Sequence, residues 1–308
     1  MAPVSDATPI KSDQNEASEP EPIPGYSYET PWKSPIFEHA RSFWLSSYST
    51  DVQSRPDGKI VVFGFPKSGN SWAVSLVADY YDIPIIDPIA DVSATGVGMT
   101  HLPFCRYVAD RPDFLRGVCI VRDPRDVFVS YFHYSQTDAF RRARPEFHYD
   151  EVRSFYYEWF LSRAAPGHDL RRHAELYARM GVPILRYEAL RADPAKTFSR
   201  LLLTWGDQPD AARLEASIDA NELSKLRREG KMLKTFTESS HFREGAVGGF
   251  ENELPIEIIS DIEVRFSRLI ARWGYGFTTP EGQRAFQTSR SGQDDLSSID
   301  EDFTGIAR

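Results

Sequence analysis

The chain has 308 residues, of which 41% are hydrophobic, and this is enough to bury the core of one large α/β domain or two small ones. Its formal net charge is −9, but residues 1–30 contribute −5 and residues 278–308 contribute −3, so the stretch between them is close to neutral. This balance excludes the basic surface that general nucleic-acid binding requires. Two cysteines, Cys105 and Cys119, are too few for a disulfide framework or a zinc site.

The two ends of the chain differ in composition from the middle. Residues 1–30 are rich in Pro, Glu and Ser, which predicts a disordered acidic arm. They lack the basic and apolar regions of a signal peptide, and no run of apolar residues in the chain is long enough to span a membrane. These features favour a cytoplasmic protein. Residues 31–277 are predicted to form a single domain, and the polar residues 278–308 a disordered tail.

The segment KIVVFGFPKSGNSW predicts a strand, a Gly-rich loop and a helix in succession. Ile60–Phe63 is a short run of β-branched and aromatic residues ended by Gly64, as in a buried strand. Apolar residues then recur at helical spacing to about Tyr81. A loop of this kind points backbone N–H groups at a ligand from the start of a helix, where the helix dipole also favours an anion. Because Lys67 adds a positive charge inside the loop, the segment predicts a phosphate site.

This loop differs from a nucleoside triphosphate-binding loop at one position. Gly64 and Gly69 fit the G-x-x-x-x-G part of that motif, but Asn70-Ser71 stands where Lys-Ser/Thr should follow. The lysine that would reach the β- and γ-phosphates is therefore missing from its place. A P-loop kinase or NTPase remains an alternative, weakened by this substitution.

Further strands and helices alternate along the rest of the chain. Asp123 before Pro124 is typical of a helix N-cap with Pro at the first helical position. Alternation predicts an α/β fold with a central parallel sheet covered on both faces, whose ligands bind at the carboxyl ends of the strands. Lys67, Arg122 and Tyr187 each follow a predicted strand and should therefore converge. The predicted strands are Ile83–Asp87, Gly117–Val121 and Val182–Tyr187, and residues 88–98 are predicted as a loop. Helices are predicted within 137–180, after the third of these strands through Leu203, after 210 and over about Ile256–Trp273.

Five segments, in the same order along the chain, resemble motifs of the sulfotransferases that use 3′-phosphoadenosine-5′-phosphosulfate (PAPS). The resemblance covers about residues 31–277 and implies a P-loop-like three-layer fold. It also implies transfer of a sulfuryl group from PAPS to a hydroxyl or amine, without a metal. The segments are Pro66–Trp72 (similar to PKSGTTW), Thr100–Pro103 (THLP), Arg122–Tyr131 (R-[ND]-P-[KR]-D-x-x-x-S-[YF]), Tyr187-Glu188 with Asp193-Pro194 (YED…DP), and Arg243–Asn252 (RKGxxGDWKN).

The resemblance also implies roles for individual residues. His101 is the implied general base, since a neutral imidazole can take the acceptor proton at physiological pH. Lys67 would stabilise the charge on the bridging oxygen as the S–O bond breaks. The implied donor-binding residues are Lys67, Ser68, Gly69, Asn70 and Ser71 for the 5′-phosphosulfate, Trp72 and Tyr187 for the adenine, and Arg122, Ser130, Arg243, Glu244 and Gly245 for the 3′-phosphate.

Two departures from the family pattern affect charge at the site. Met99 stands where the family often has a lysine, and Glu244 replaces the lysine of RKG. They keep open a second alternative, a non-catalytic nucleotide-binding protein. Arg125 is predicted to form a surface ion pair and not to touch phosphate. No dimerisation motif can be placed, which leaves the oligomeric state open.

The acceptor is predicted from the aromatic segment at about 132–165, which in this family helps to wall the acceptor site. Some aromatic side chains of this segment are predicted to belong to a helix core, because Phe155, Trp159 and Ser162 fall at helical spacing. The remainder favour a small, apolar acceptor such as a phenol or alcohol, and a carbohydrate is the alternative because aromatic rings also stack on sugars. The aromatic residues are Phe132, Tyr134, Phe140, Phe147, Tyr149, Phe155, Tyr156, Tyr157, Trp159 and Phe160.

Overall fold

The computed structural model describes residues 58–88, 91, 95–101, 114–162, 170–228 and 245–291. Within these residues a four-stranded parallel sheet has the order β2-β1-β3-β4. This confirms the predicted central parallel sheet. The predicted arm, residues 1–30, lies outside the described residues. The strands are β1 (Lys59–Gly64), β2 (Gly96–Thr100), β3 (Phe114–Val121) and β4 (Ile184–Arg186).

Helices cover both faces of the sheet, so the central strand β1 is buried along its whole length. Ile60 and Val62 belong to the core on one face, while Phe63 packs against Tyr177 on the other, with ring centroids 5.3 Å apart. No helix in the described part of the chain is long and apolar enough to cross a membrane. The helices are α1 (Asn70–Tyr81), α2 (Pro124–Ser135), α3 (Asp138–Ala143), α4 (Val152–Ser154, continued by a π-helical turn, Phe155–Phe160), α5 (Leu170–Met180), α6 (Tyr187–Ala192), α7 (Pro194–Thr204), α8 (Ala211–Ala220), α9 (Leu223–Arg228), α10 (Phe250–Glu253), α11 (Ile256–Arg265), α12 (Ser267–Arg272) and α13 (Pro280–Ser291).

The second strand lies later in the chain than predicted. Ile83–Asp87 contributes only a single bridge, from Ile85 to Val97, and the strand that pairs with β1 is Gly96–Thr100. Its glycines have low strand propensity, which hid it from the sequence analysis. They are needed here because a Cβ on Gly98 would lie 2.5 Å from a backbone oxygen of the 83–87 segment.

The predicted disordered tail is wrong for its first part, because Pro280–Ser291 forms helix α13. This helix packs on α11 and α12, and Phe277 stacks on Phe286 with centroids 5.6 Å apart. The carboxylate of Glu263, which is fully buried, accepts hydrogen bonds from the backbone and hydroxyl groups of Thr278 and Thr279. The polar segment before α13 is thus fixed in place by Glu263, a buried hydrogen-bond acceptor in α11. Residues 292–308 lie outside the described residues.

Arg125 forms a buried ion-pair network, and the predicted surface ion pair is wrong. Its side chain contacts the Asp123 carboxylate at 2.6 Å and that of Glu263 at 2.5 Å. Asp123 also caps α2 as predicted, accepting from the Arg125 backbone N–H at 2.9 Å. The network ties the start of α2, and hence the segment that carries Arg122, to α11.

Candidate active site

The loop between β1 and α1 has the form that binds anions at a helix N-terminus. Lys67 and Gly69 have left-handed backbone angles, with φ of 69° and 98°. Gly69 is required for a second reason, since a Cβ there would lie 2.5 Å from the ring of Tyr187. Asn70 and Ser71 begin α1, and the N–H groups of the first helical residues have no acceptor within the helix. The loop therefore offers backbone donors and a positive dipole end to an anion.

Asn70 closes the loop through its side chain. The amide is 4% exposed and donates to the carbonyl oxygens of Gly64 at 3.1 Å and Phe65 at 3.2 Å. The position that carries the lysine of a nucleoside triphosphate-binding loop is thus a buried structural amide, which argues further against a kinase or NTPase.

His101 reaches the same carbonyl group as Asn70. Its Nδ1 lies 2.7 Å from the oxygen of Gly64 and 3.4 Å from Nδ2 of Asn70. A carbonyl oxygen only accepts hydrogen bonds, so Nδ1 carries the hydrogen in the neutral ring and Nε2 carries the lone pair. The side chain is exposed. The structure therefore places an imidazole whose Nε2 can take a proton beside the anion-binding loop.

A second histidine, His173 of α5, lies behind His101. Its Nε2 is 3.2 Å from the backbone oxygen of His101, and its ring packs against Phe65 and Tyr177, with centroids 6.0 and 4.6 Å away. Burial, with a smaller contribution from the neighbouring His101, lowers the pKa of His173 to about 3. The ring is thus neutral at physiological pH and donates through Nε2–H.

His173 should make the fold acid-sensitive. Its folded pKa of about 3 lies below the ordinary value of 6.5, so between these values the unfolded chain binds a proton that the folded chain does not. Above pH 6.5 the imidazole is neutral in the folded and the unfolded chain, so His173 does not make the free energy of unfolding depend on pH. As the pH falls below 6.5, protonation of the unfolded chain lowers the free energy of unfolding, by about 3 kcal/mol at pH 4.5. Urea unfolding at pH 7.5 and 4.5 measures this loss. We expect a smaller loss for His173→Gln, and equal losses would contradict the prediction.

Lys67 lies over an aromatic ring of α2. Its Nζ is 3.8 Å from the centroid of Tyr134, a cation–π contact. Its backbone oxygen accepts from Nη1 of Arg122 at 3.0 Å. The side chain of Lys67 is thus held against α2, and its backbone is held by Arg122.

Arg122 joins the loop, the start of α6 and the segment before α10. Besides Lys67, it donates through Nη2 to the Ala246 oxygen at 3.0 Å, and its guanidinium lies 4.5 Å from the centroid of Tyr187. Its Nε is buried and has no hydrogen-bond partner within the described part of the chain. Ser130 lies further along α2 and is half-buried. Arg122 therefore retains a donor for a ligand at this point.

Two aromatic side chains, Trp72 and Tyr187, stand next to the loop. Trp72 and Tyr187 are both buried and meet edge to face, with centroids 6.0 Å apart. Nε1 of Trp72 donates to the Asn221 oxygen at 2.9 Å, and the hydroxyl of Tyr187 donates to the Gly245 oxygen at 3.1 Å. Position 245 also requires a residue without a side chain, because a Cβ on Gly245 would lie 2.7 Å from the Tyr187 hydroxyl.

The segment after Gly245 is anchored to α2 by Asp126. The buried carboxylate accepts from the backbone N–H groups of Gly248 at 2.8 Å and Phe250 at 3.2 Å. Burial raises the pKa of Asp126, although Arg122 opposes this shift. This anchor brings the Ala246 carbonyl to Arg122. The two predicted donor-binding residues just before it, Arg243 and Glu244, lie outside the described residues.

The departure at Met99 leaves a neutral side chain against the loop. Met99 lies in β2, and its sulfur accepts a hydrogen bond from Oγ of Ser71 at 3.6 Å. The thioether thus packs at the start of α1, at the position where the family often has a lysine.

Half of the aromatic residues in the predicted acceptor segment belong to the core, which confirms the core position predicted for Phe155 and Trp159. Phe140, Phe155, Tyr156, Trp159 and Phe160 are at most 5% exposed and pack on one another and on α2. Four of these five residues lie in the π-helical turn. The others are partly buried against this core or exposed: Phe132, Tyr134, Phe147, Tyr149 and Tyr157.

Three contacts at the site could not be predicted from the sequence. The carbonyl of Gly64 as the partner of His101, the Tyr134 ring under Lys67, and the bond from His173 all join residues far apart in the chain. No local pattern marks them. Only the position of Tyr134, in the predicted acceptor segment, gave a signal. Among the described residues, no group of His, Cys, Asp and Glu is arranged to hold a metal ion.

Comparison with known proteins identifies the family. A family model for the sulfotransferase domain matches residues 99–274, more than half of the chain. Cytosolic sulfotransferase 17 of Arabidopsis thaliana is 22% identical over 321 residues, which cover 84% of this chain and 90% of that protein. Two solved structures share the fold. Mouse sulfotransferase SULT7A1 complexed with PAP has a TM-score of 0.56 at 18% identity, covering 80% of this chain and 94% of its own. Retinol dehydratase in a complex with retinol and PAP has a TM-score of 0.53 at 13% identity, covering 77% and 86%. The chain thus has the predicted P-loop-like α/β fold and belongs to the sulfotransferase family.

Proposed function

We propose that the chain transfers a sulfuryl group from PAPS to a hydroxyl or amine by in-line displacement, with His101 as the general base. The observation that carries the proposal is the position of His101, whose tautomer is set by the same Gly64 carbonyl that begins the anion-binding loop. Both solved relatives of the fold are complexes with PAP (3′-phosphoadenosine-5′-phosphate), the nucleotide left when PAPS loses its sulfuryl group.

The described residues suit a nucleotide with two anionic ends. The loop offers backbone N–H donors and Lys67 to the 5′-phosphosulfate. The positive end of the α1 helix dipole lies at the same place and also favours an anion. Arg122 has a buried Nε without a partner in the described part, so it has a donor to give a 3′-phosphate. The proposed donor-binding set keeps all of the residues predicted from the sequence: Lys67, Ser68, Gly69, Asn70, Ser71, Trp72, Arg122, Ser130, Tyr187, Arg243, Glu244 and Gly245.

The proposed reaction is a single displacement at sulfur. The acceptor oxygen or nitrogen forms a bond to sulfur and gives its proton to Nε2 of His101. The bond from sulfur to the 5′-phosphate oxygen breaks, and PAP leaves with the electron pair. Lys67 stabilises the negative charge that develops on that oxygen. The Gly64 carbonyl holds Nδ1–H and so favours the imidazolium that forms.

The acceptor is proposed to be a small apolar or phenolic alcohol. Tyr134 and other partly buried aromatic side chains of α2 and the following segment support this, as does the retinol bound by one structural relative. A panel of phenols, hydrophobic alcohols, simple sugars and polysaccharides, each with PAPS, tests it by PAP release and by the mass of the product. Sulfation of phenols or alcohols is expected. Sulfation of saccharides only would replace the proposed acceptor class, and donor binding without turnover on any acceptor would contradict the reaction.

Replacement of Arg122 should weaken binding of the 3′-phosphate of the donor much more than binding of its 5′ end. Arg122→Met keeps much of the aliphatic length and removes the donors, so we expect PAP affinity to fall by about 2–3 kcal/mol, roughly 30- to 150-fold. Binding of AMP, which lacks the 3′-phosphate, should change much less. Calorimetric titration of both nucleotides measures the difference, with Arg141→Met of α3 as a matched control. Equal losses for AMP and PAP would show that Arg122 supports the loop and does not bind the 3′-phosphate.

A further inference from the structure

His173 lies outside every motif by which the chain resembles its family, yet it bonds directly to the proposed base. We propose that His173 is a positioning residue that fixes His101 relative to the anion-binding loop. The inference deepens the proposed function and rests on His101 being the base. His173 touches neither donor nor acceptor in this assignment, and it acts through the His101 backbone.

The geometry gives His101 two attachments to the rest of the site. Its side chain is held by the Gly64 oxygen at 2.7 Å, and its backbone oxygen by Nε2 of His173 at 3.2 Å. His101 directly follows Thr100, the last residue of β2. A bond at the His101 carbonyl restricts the backbone at the point where the strand ends. Both attachments together fix the ring against the loop.

The second attachment is tied to the loop itself. The His173 ring meets Phe65, the first residue after β1, edge to face at 6.0 Å. It also packs on Tyr177, whose ring contacts Phe63 of β1 at 5.3 Å. The imidazole of His173 therefore contacts both the backbone of His101 and Phe65, the residue at which the loop that carries Lys67 begins.

Histidine suits this position because it is a neutral donor with a largely apolar ring. The site is buried, and the ring also lines a small cavity together with Arg122 and the apolar side chains of Phe65, Val121, Leu170, Leu269 and Trp273. A charged donor such as lysine would be destabilised here. Phenylalanine preserves the ring and removes the donor. Glutamine removes the ring and places an amide N–H where Nε2 lies.

The test compares His173→Phe with His173→Gln, using the acceptor found in the panel. Reacting groups displaced by about 1 Å lose roughly 100-fold in rate, so we expect kcat of His173→Phe to fall by about 10- to 100-fold. PAP affinity should stay within about 2-fold of the wild type, because the donor contacts do not involve His173. His173→Gln should recover most of kcat. A wild-type kcat in a folded His173→Phe, or equal losses in both variants, would overturn the inference.

The controls separate this inference from the proposed function. If His101→Asn is inactive and His173→Phe is not impaired, the base assignment stands and only the positioning role fails. If His101→Asn keeps wild-type activity, the proposed mechanism itself fails. A measurement on the wild type covers the case in which a variant does not fold: imidazole ¹⁵N spectra at pH 7 should show His173 neutral with hydrogen on Nε2. Hydrogen on Nδ1 instead would overturn the inference without any assay.

Discussion

His101→Asn is expected to lower kcat by about two to four orders of magnitude while leaving PAP affinity unchanged. Positioned general bases contribute about 10²–10⁴-fold, and asparagine has no group that can take the acceptor proton. It can still donate from its amide to the Gly64 oxygen, where Nδ1 of His101 now donates. The loop should therefore remain intact. Steady-state PAP release and calorimetric PAP binding measure the two quantities separately.

The substitution tests the base and not merely the shape of the site. A histidine with only a structural role at Gly64 would be largely replaced by asparagine, so a kcat within about five-fold of the wild type would contradict the assignment. A parallel loss of PAP affinity would mean that the loop has changed. Restoration of turnover by added imidazole would support the proton transfer independently, because a small base could enter the space that the ring leaves.

Lys67→Met should lower kcat by about 100- to 1,000-fold, the second largest effect. Removal of one group that stabilises developing oxyanion charge typically produces a loss of this size. Methionine keeps an unbranched apolar side chain over the Tyr134 ring, where the lysine Nζ lies at 3.8 Å. The backbone oxygen of residue 67 can still accept from Arg122. PAP affinity should fall less than kcat, since the charge that Lys67 stabilises grows in the transition state.

Lys225→Met provides the matched control for charge. Lys225 is a surface lysine paired with Asp219 at 2.5 Å, and its loss changes the net charge by the same amount. We expect turnover and PAP binding to stay at the wild-type level in this variant. Rapid-quench measurement of PAP formation within the first turnover isolates the chemical step for the wild type and both variants. A loss of PAP affinity with kcat near the wild-type value in Lys67→Met would show that the lysine binds donor and transition state alike, and would contradict the prediction.

The loop and the Arg122 segment were predictable because each lies in a continuous run of local signals. A β-branched strand, glycines and helical periodicity mark β1 to α1, and Asp123-Pro124 marks the start of α2. Parallel strands then bring their carboxyl ends together, so the convergence of Lys67, Arg122 and Tyr187 followed from topology. The assignment to the family followed from the motifs.

The features that sequence analysis missed depend on burial and on long-range contacts. β2 was missed because its Gly-Val-Gly start has weak strand propensity and is selected by close packing against 83–87. Helix α13 was missed because a buried Glu263 fixes Thr279 beside it. The contact of His173 with His101 was not predicted because nothing in its own segment indicates the carbonyl to which it donates. The domain limits near residue 31 and the cytoplasmic location stay predictions.

Calorimetric titration of the wild-type protein with PAP, and in parallel with ATP in the presence of Mg²⁺, tests the donor site most directly, because it requires no acceptor. The geometry of the loop, Arg122 and Tyr187 predicts clear binding of PAP without metal and weak or undetectable binding of ATP. Binding of ATP with Mg²⁺ and none of PAP would contradict the proposed donor and would point to phosphoryl transfer instead.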